Sequence, residues 1–410
     1  MGMIRECIRE DVAEVADLWA RTFRLRKTCT TEALADYLRE IFFSNPWQAE
    51  SLLPSLIYQG RRGRITGFLG VVPRRMRFRG QPIQVAVASQ LMVDRNEPSA
   101  YTALEMLRRL FSGAQDLTFS DGANDLSQKL WEAAGGSVAI PFSLTWTRIL
   151  RPAGYWAGQC KERELFLPLV MASSPIRKTL DAAAARIPGS PYVFPGPSAT
   201  YVEMEPSNGA ILECLGGMTR GRQLQPEYDQ ESLSWLLEKA KEQKKHGQLR
   251  AAVVRNSDAQ IVGWHLYYAK RRGVSEVLQF GGKEARFDDV LSSLFRDAWL
   301  QGATAISGQV DPKFARLLAK NHCGFTWTGG VLAHSRNPNI SNAIHRGDAF
   351  LTRLDGEWWM RFCDMTERSA PAKSKGPEHA EPADNQILAA APQAWEIETA
   401  QLLDFESVRK

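Results

Sequence analysis

The chain has 410 residues, of which 44% are apolar and 24% charged, and its formal net charge is +5. At roughly 100–200 residues per domain this predicts two or three globular domains, and a charge so small for this length does not by itself point to nucleic acid. Six scattered cysteines (Cys7, Cys29, Cys160, Cys214, Cys323, Cys363) without a CxxC pair exclude a disulfide framework or a thiolate metal site, no apolar run reaches the roughly 18 residues of a membrane span, and the charged N-terminus is no secretory leader, so a cytoplasmic protein without metal is expected.

In chain order, residues 3–8 read as a strand and a helix follows, with Asp11 as its N-cap and Glu14 three residues later. Val12, Val15, Leu18, Trp19 and Phe23 form its buried stripe. Leu56-Ile57-Tyr58, a polar turn at Gly60-Arg61-Arg62-Gly63 and Ile65-Thr66-Gly67-Phe68 make a hairpin. Arginines occupy 61, 62, 64, 74, 75, 77 and 79, and the alternation of Arg75, Arg77 and Arg79 projects them from one face of a strand, as a footprint for an anion. A long strand over 85–93 leads into a helix carrying Leu104, Leu107 and Phe111, which stops at Gly113. A strand at 117–120, a helix capped by Asn124 or Asp125, and a last strand over 142–150 complete the first unit.

After a connector at 151–198 the order repeats about 190 residues on, a duplication of a whole domain. Ala251-Ala252-Val253-Val254, the turn Asn256-Ser257-Asp258 and Ile261-Val262-Gly263-Trp264 repeat the hairpin. The next helix carries Val290, Leu291, Leu294, Phe295 and Trp299 and ends at Gly302, and Asp311-Pro312 opens another. The domains are therefore set at 1–150 and 199–362. The remainder, 363–410, is expected as a disordered tail, Ala-, Pro-, Lys- and Glu-rich at 365–385, with a short helix at 394–408.

This order of strands and helices resembles the GNAT superfamily of acyltransferases over nearly all of 3–150 and, more weakly, 199–335. The resemblance implies an α/β fold, two tandem domains each with a mixed sheet flanked by helices. It also implies an acetyl-CoA or other acyl-CoA co-substrate, whose pantetheine lies along free backbone groups of the fourth strand and whose pyrophosphate sits at the following helix N-terminus. The matching stretch gives Met92, Val93, Asn96, Ser99, Ala100, Thr102 and Ala103 as donor-binding residues. Pro98 and Tyr101 depart from the family's basic residue and middle glycine, and a tyrosine reaches glycine's conformations only with strain. In the second copy the glycines Gly281 and Gly282 are adjacent and early, and Asp288 and Asp289 at the helix start would repel a pyrophosphate. The tyrosine that the family often uses as general acid falls on Trp131 and Ala319.

An amine acceptor must lose a proton, so a carboxylate near the fourth and fifth strands is wanted. Asp121, after the fifth strand, ranks first; Asp94 is a second candidate and Asn124 a positioning residue. Asp121-Gly122 equally reads as a turn, and His265 as a satisfied strand histidine. Asp348, with Asp355-Gly356-Glu357 beside Trp358 and Trp359, reads either as a cleft wall between the halves or as a hairpin closed at Asp355-Gly356. Arg75, Arg77 and Asp348 would then hold an acceptor with an amine and an anionic group, such as an amino-sugar nucleotide or an amino acid conjugate. Three functions follow: an acyl-CoA-dependent N-acyltransferase, a Fem-type aminoacyl transferase using transfer RNA, and a catalytically silent protein that keeps the fold.

Overall fold

The computed structural model describes residues 2–23, 30–48, 53–60, 62–94, 99–162, 174–187, 189–194, 200–218, 221–327 and 330–360. Asn96, Cys29, Cys363, Arg61 and the expected tail with its helix at 394–408 lie outside the described residues. The strands, in chain order, are β1 (Met3–Glu6), β2 (Leu56–Gln59), β3 (Ile65–Phe78), β4 (Gln81–Val93), β5 (Leu117–Ser120), β6 (Ser137–Val138) and β7 (Leu144–Ile149). There follow β8 (Thr200–Met204), β9 (Leu224–Pro226), β10 (Gln248–Asn256), β11 (Ile261–Ala269), β12 (Val274–Gly282), β13 (Ala305–Gln309), β14 (Gly324–Trp327) and β15 (Leu332–His334).

They form two mixed sheets flanked by helices, as the sequence predicts. One runs β1-β2-β3-β4-β5-β15-β6, with β9 added along β3, and the other runs β14-β7-β13-β12-β11-β10-β8. In each, an antiparallel meander leads to one parallel pair, β4 with β5 and β12 with β13. The helix Ser99–Phe111 makes the first parallel crossover and Phe287–Leu300 the second.

The last strand of the first unit corrects an expectation. It does not close the first sheet. β7 pairs with β13 and β14 in the second sheet, and β15, which comes from the second unit, pairs with β5 and β6 in the first. The physical cause is burial on both sides of the exchange. Trp146 of β7 is fully buried against Phe280 and Phe295 under the helix Phe287–Leu300. Leu332 of β15 is fully buried with Leu107, Phe111 and Trp131 in the first unit. The helix Thr31–Phe43, capped by Thr30, was not expected; its Leu34, Leu38 and Phe42 are buried. Asp11 does not cap its helix by its side chain: it receives the Ile8 N–H at 2.9 Å and pairs with Arg5 at 2.7 Å.

A third core lies between the sheets. It joins Trp19, Phe42, Phe68 and Val87 of the first unit to Leu236, Trp264, Leu278 and Trp359 of the second. Shared strands and a shared core join the two halves, so they are expected to unfold together. Trp146→Ala should therefore cost about 3–5 kcal/mol, the range for deleting a large buried aromatic. Denaturant unfolding followed by tryptophan fluorescence and by far-UV dichroism should show one coincident transition, moved to lower denaturant. Two separate transitions would sink the shared-body reading.

Candidate functional site

The first sheet opens where β4 and β5 part. They pair only at Val85–Val87 with Leu117–Phe119, and no strand among the described residues takes the same edge of β4 beyond residue 87. There β4 is also bulged. Phe68 faces Met92 and Gly70 faces Ser89, so β4 holds one residue more than β3 across this interval. Gln90 sits in the bulge with φ +53°, a conformation uncommon and strained for a residue other than glycine. On β4, Ser89 Oγ and both amide atoms of Gln90 are buried without a hydrogen-bond partner among the described residues, as is Thr102 Oγ1 in the helix that follows. Each such group costs about 1–3 kcal/mol in an apolar setting, a cost that a polar ligand reaching them would remove.

The helix Ser99–Phe111 starts at this opening, with no acidic residue in its first turn. Its positive end is therefore not neutralised from within. Thr102 and Ala103 are buried, Ala100 is half-buried, and Tyr101 stands on the exposed face. Tyr101 is thus helical and needs none of glycine's conformations, which removes the strain that its position in the loop implied. Met92 and Val93 are buried at the end of β4. Of Ser99 only the backbone is described.

Asp121 directly follows β5 at the same opening. Its Oδ1 accepts the backbone N–H of Glu357 at 2.6 Å and that of Trp358 at 2.9 Å. Its Oδ2 is shielded and has no partner among the described residues. Burial, and then the neighbouring Glu357 carboxylate, push its pKa up to about 7. The two N–H groups and Arg353 act in the opposite direction. Gly356 makes the approach possible, because a Cβ there would lie 2.2 Å from the Asp121 carboxyl carbon. Ser120 donates its hydroxyl to Glu357. Sequence expectation offered a turn or a base at Asp121 and a hairpin at Asp355-Gly356. The structure has no hairpin there; 351–357 is a loop with turns that carries Glu357 to Asp121.

The same loop assembles a second set of buried groups. Tyr228 donates to Asp355 Oδ1, and Thr352 donates to Asp355 Oδ2 from its hydroxyl at 2.6 Å. Gln279 of β12 reaches Thr352 at 3.2 Å. Burial raises the pKa of both Asp355 and Tyr228. Arg74 of β3 is buried, lies over the Trp47 ring at 4.1 Å, and has Tyr228 and the carboxyl groups of Asp355 and Asp121 as its ionisable neighbours. Burial lowers its pKa only to about 10, so it stays charged at neutral pH. Sequence reasoning missed Gln90, Tyr228 and Gln279, and counted Arg74 with the exposed arginines. Strand parity could have separated Arg74, which points inward with Met76 and Phe78.

The other expected residues are spread more widely. Asn124 caps the helix Asp125–Ala134, accepting the Ser127 N–H at 2.9 Å, and Gly135 ends that helix with φ +103°. Asp94 lies 3.6 Å from Arg21. Trp131 is buried against Phe111, where it offers no proton to a leaving group. Arg75 pairs with Asp229 and Arg77 with Glu227, both at 2.6 Å, and Arg79 meets Gln223, whose amide also donates to Asp348 at 2.6 Å. The arginine stripe and Asp348 are therefore bridged through the segment around β9. His265 is buried, reaches Ser293 at 3.1 Å and has its pKa pushed down to about 4 by burial.

The second unit has the equivalent bulge, with Leu278 as the additional residue of β12. There the Leu278 carbonyl already accepts the Leu354 N–H at 3.2 Å. Asp288 and Asp289 occupy the first turn of the helix Phe287–Leu300. Gly281 leaves room for the Trp264 ring, 2.4 Å from where a Cβ would be, so that glycine serves packing. Among the described residues no group of His, Cys, Asp and Glu could hold a metal, and no helix is long and apolar enough to cross a membrane.

No family model matches the chain, and no curated protein matches its sequence. Solved structures do match its fold. A conserved protein of unknown function from Enterococcus faecalis V583, described as a probable N-acyltransferase, is 11% identical with a TM-score of 0.52, over 82% of this chain and 72% of that one. A GCN5-related N-acetyltransferase from Kribbella flavida is 10% identical with a TM-score of 0.51, over 81% and 70%. One from Anabaena variabilis ATCC 29413 is 10% identical with a TM-score of 0.51, over 82% and 74%. An open, bulged fourth strand feeding a helix, repeated in two halves, thus joins the agreement over four-fifths of the chain: this chain has the fold of the GCN5-related N-acetyltransferases.

Proposed function

We propose that the first half binds an acyl-CoA and transfers its acyl group to an amine, with Asp121 as general base. The observation that carries this is the convergence at one opening of unpartnered polar groups on β4, a helix start free of acids, and a carboxylate with a pKa of about 7. Acyl-CoA supplies a thioester, whose carbonyl carbon is the electrophile. Backbone groups of β4 beyond residue 87 and the Gln90 amide offer hydrogen bonds to pantetheine, and the N–H groups at the start of the helix Ser99–Phe111 offer them to pyrophosphate. Asp121 takes the proton from the attacking amine as the C–N bond forms; the C–S bond then breaks and the sulfur leaves as thiolate. With Trp131 at the usual acid's place, that position protonates no sulfur, and the leaving thiolate tolerates this far better than an alkoxide would.

Arg75 and Arg77 remain our candidates for an anionic handle on the acceptor. Their carboxylate partners are exposed, and exposed pairs are worth only about 0–1 kcal/mol, so an incoming anion exchanges with them cheaply. The occupied bulge and the acidic helix start of the second half support a single donor site per chain.

Calorimetric titration with acetyl-CoA and longer acyl-CoAs tests the donor site. Ala100→Glu places an acid in the first helical turn. It should stabilise the fold by about 0.3–1 kcal/mol through the helix dipole while weakening acyl-CoA binding roughly tenfold. Unchanged affinity in that variant puts the donor elsewhere.

A further inference from the structure

A second polar pocket lies in the other half, away from the opening of β4. Its cavity is about 250 Å³, lined by Arg148, Ser190, Phe194, Ser292, Phe295 and His322 among others. Arg148, on β7, is only 5% exposed. Its guanidinium lies between two rings, 5.3 Å from Phe194 and 5.9 Å from Phe295. One nitrogen, Nη2, donates to the Pro191 carbonyl, while Nε is buried with no acceptor among the described residues. No carboxylate among the described residues pairs with it; the ionisable neighbours drawn to it are Cys323 and Tyr192. Arg296 donates to the Phe194 carbonyl at 2.9 Å. Asp288, the acid beside the rim, is held by Lys320 and Asn321 at 3.0 and 2.8 Å. A buried cation without a counter-ion is expensive, and native proteins rarely leave one so.

We propose that this pocket binds a small carboxylic acid as its anion, with the carboxylate on Arg148 and an apolar body against the cavity-facing edges of Phe194 and Phe295. The lining selects the class. One buried cation offsets one negative charge, and the Phe194 and Phe295 rings suit an anion with an apolar body, which phosphate lacks. The Ser292 hydroxyl and the His322 ring line the same cavity and supply further hydrogen-bonding groups. The site does not depend on acyl transfer in the first half.

The test is calorimetric titration of the full chain with benzoate, butyrate and inorganic phosphate at constant ionic strength in chloride. Saturable one-to-one binding of a carboxylate, with phosphate weaker, is expected. Arg148→Met should lower carboxylate affinity at least about tenfold. Because that variant alters a buried group, Ser292→Asp is the second: it leaves Arg148 in place and supplies an internal carboxylate, so it should also abolish binding while thermal melting shows a folded protein. Acyl-CoA binding should be unaffected in Ser292→Asp, which separates this pocket from the donor site. Absence of saturable carboxylate binding, equal binding in both variants, or tighter binding of phosphate would each overturn the proposal.

Discussion

Replacing Asp121 by Asn is expected to cut kcat for an amine acceptor by roughly 10²-fold or more while the Kd for acyl-CoA changes by less than about twofold. Asn keeps the oxygen that receives the Glu357 and Trp358 N–H groups and puts an NH2 in the place of the unpartnered Oδ2. It therefore preserves the shape and removes only the proton-accepting lone pair. The pH dependence has a definite sign. The folded carboxyl has a pKa of about 7 against an ordinary value of 3.8, so between those values the native state holds a proton that the unfolded chain releases. Its contribution to stability is fully present below the lower value and is lost as pH rises through the upper one. Activity should move oppositely, rising through pH 7 as the base ionises. Asp121→Asn should thus be less active than the parent protein yet more stable at pH 8, with the stability gain shrinking towards pH 4. Thermal melts across that range and a kcat/KM pH profile give both curves. A variant that keeps its activity, with the ionising limb near pH 7 intact, removes Asp121 from the mechanism.

Gly356→Ala should be nearly as damaging, through one contact. The added carbon would sit 2.2–2.3 Å from the Asp121 carboxyl atoms, so either the carboxylate or the loop must move. Gly356 is not among the glycines with positive φ, and backbone strain is not the cause. We expect a loss of stability of about 1–3 kcal/mol, typical of overpacking, and a fall in kcat of the order of that in Asp121→Asn. The cause can be isolated. In an Asp121→Ala background the carboxyl atoms are gone, so adding Gly356→Ala should cost little further stability. Equal costs in the two backgrounds would show that the glycine answers to something other than Asp121.

The sequence by itself determined much of this protein, because the signals involved are local. Alternating apolar residues, turn chemistry at 60–63 and 256–258, and glycine stops placed the two hairpins, the long strand β4 and the two crossover helices, though not the helices Thr31–Phe43, Asn208–Met218 and Gln230–Glu242. Asp121 was legible as a residue following a short strand, and the acids at 288 and 289 as a poor welcome for an anion. The α/β class with two mixed sheets followed from the family resemblance that the repeated element order carries. What only the tertiary structure decided rests on pairing between residues far apart in the chain. Nothing local in Leu144–Ile149 tells which sheet it joins; the fit of Trp146 against Phe280 and Phe295 decides it. Strand parity tells that Arg74 turns inward, but nothing local tells that it meets Asp355 and Asp121 there, or that Arg75 and Arg77 meet Asp229 and Glu227. The pKa of Asp121 was out of reach for the same reason: it comes from burial and from Glu357, more than two hundred residues away in sequence. Propensity and periodicity act over one turn or one strand, whereas burial and Coulomb interactions act through space.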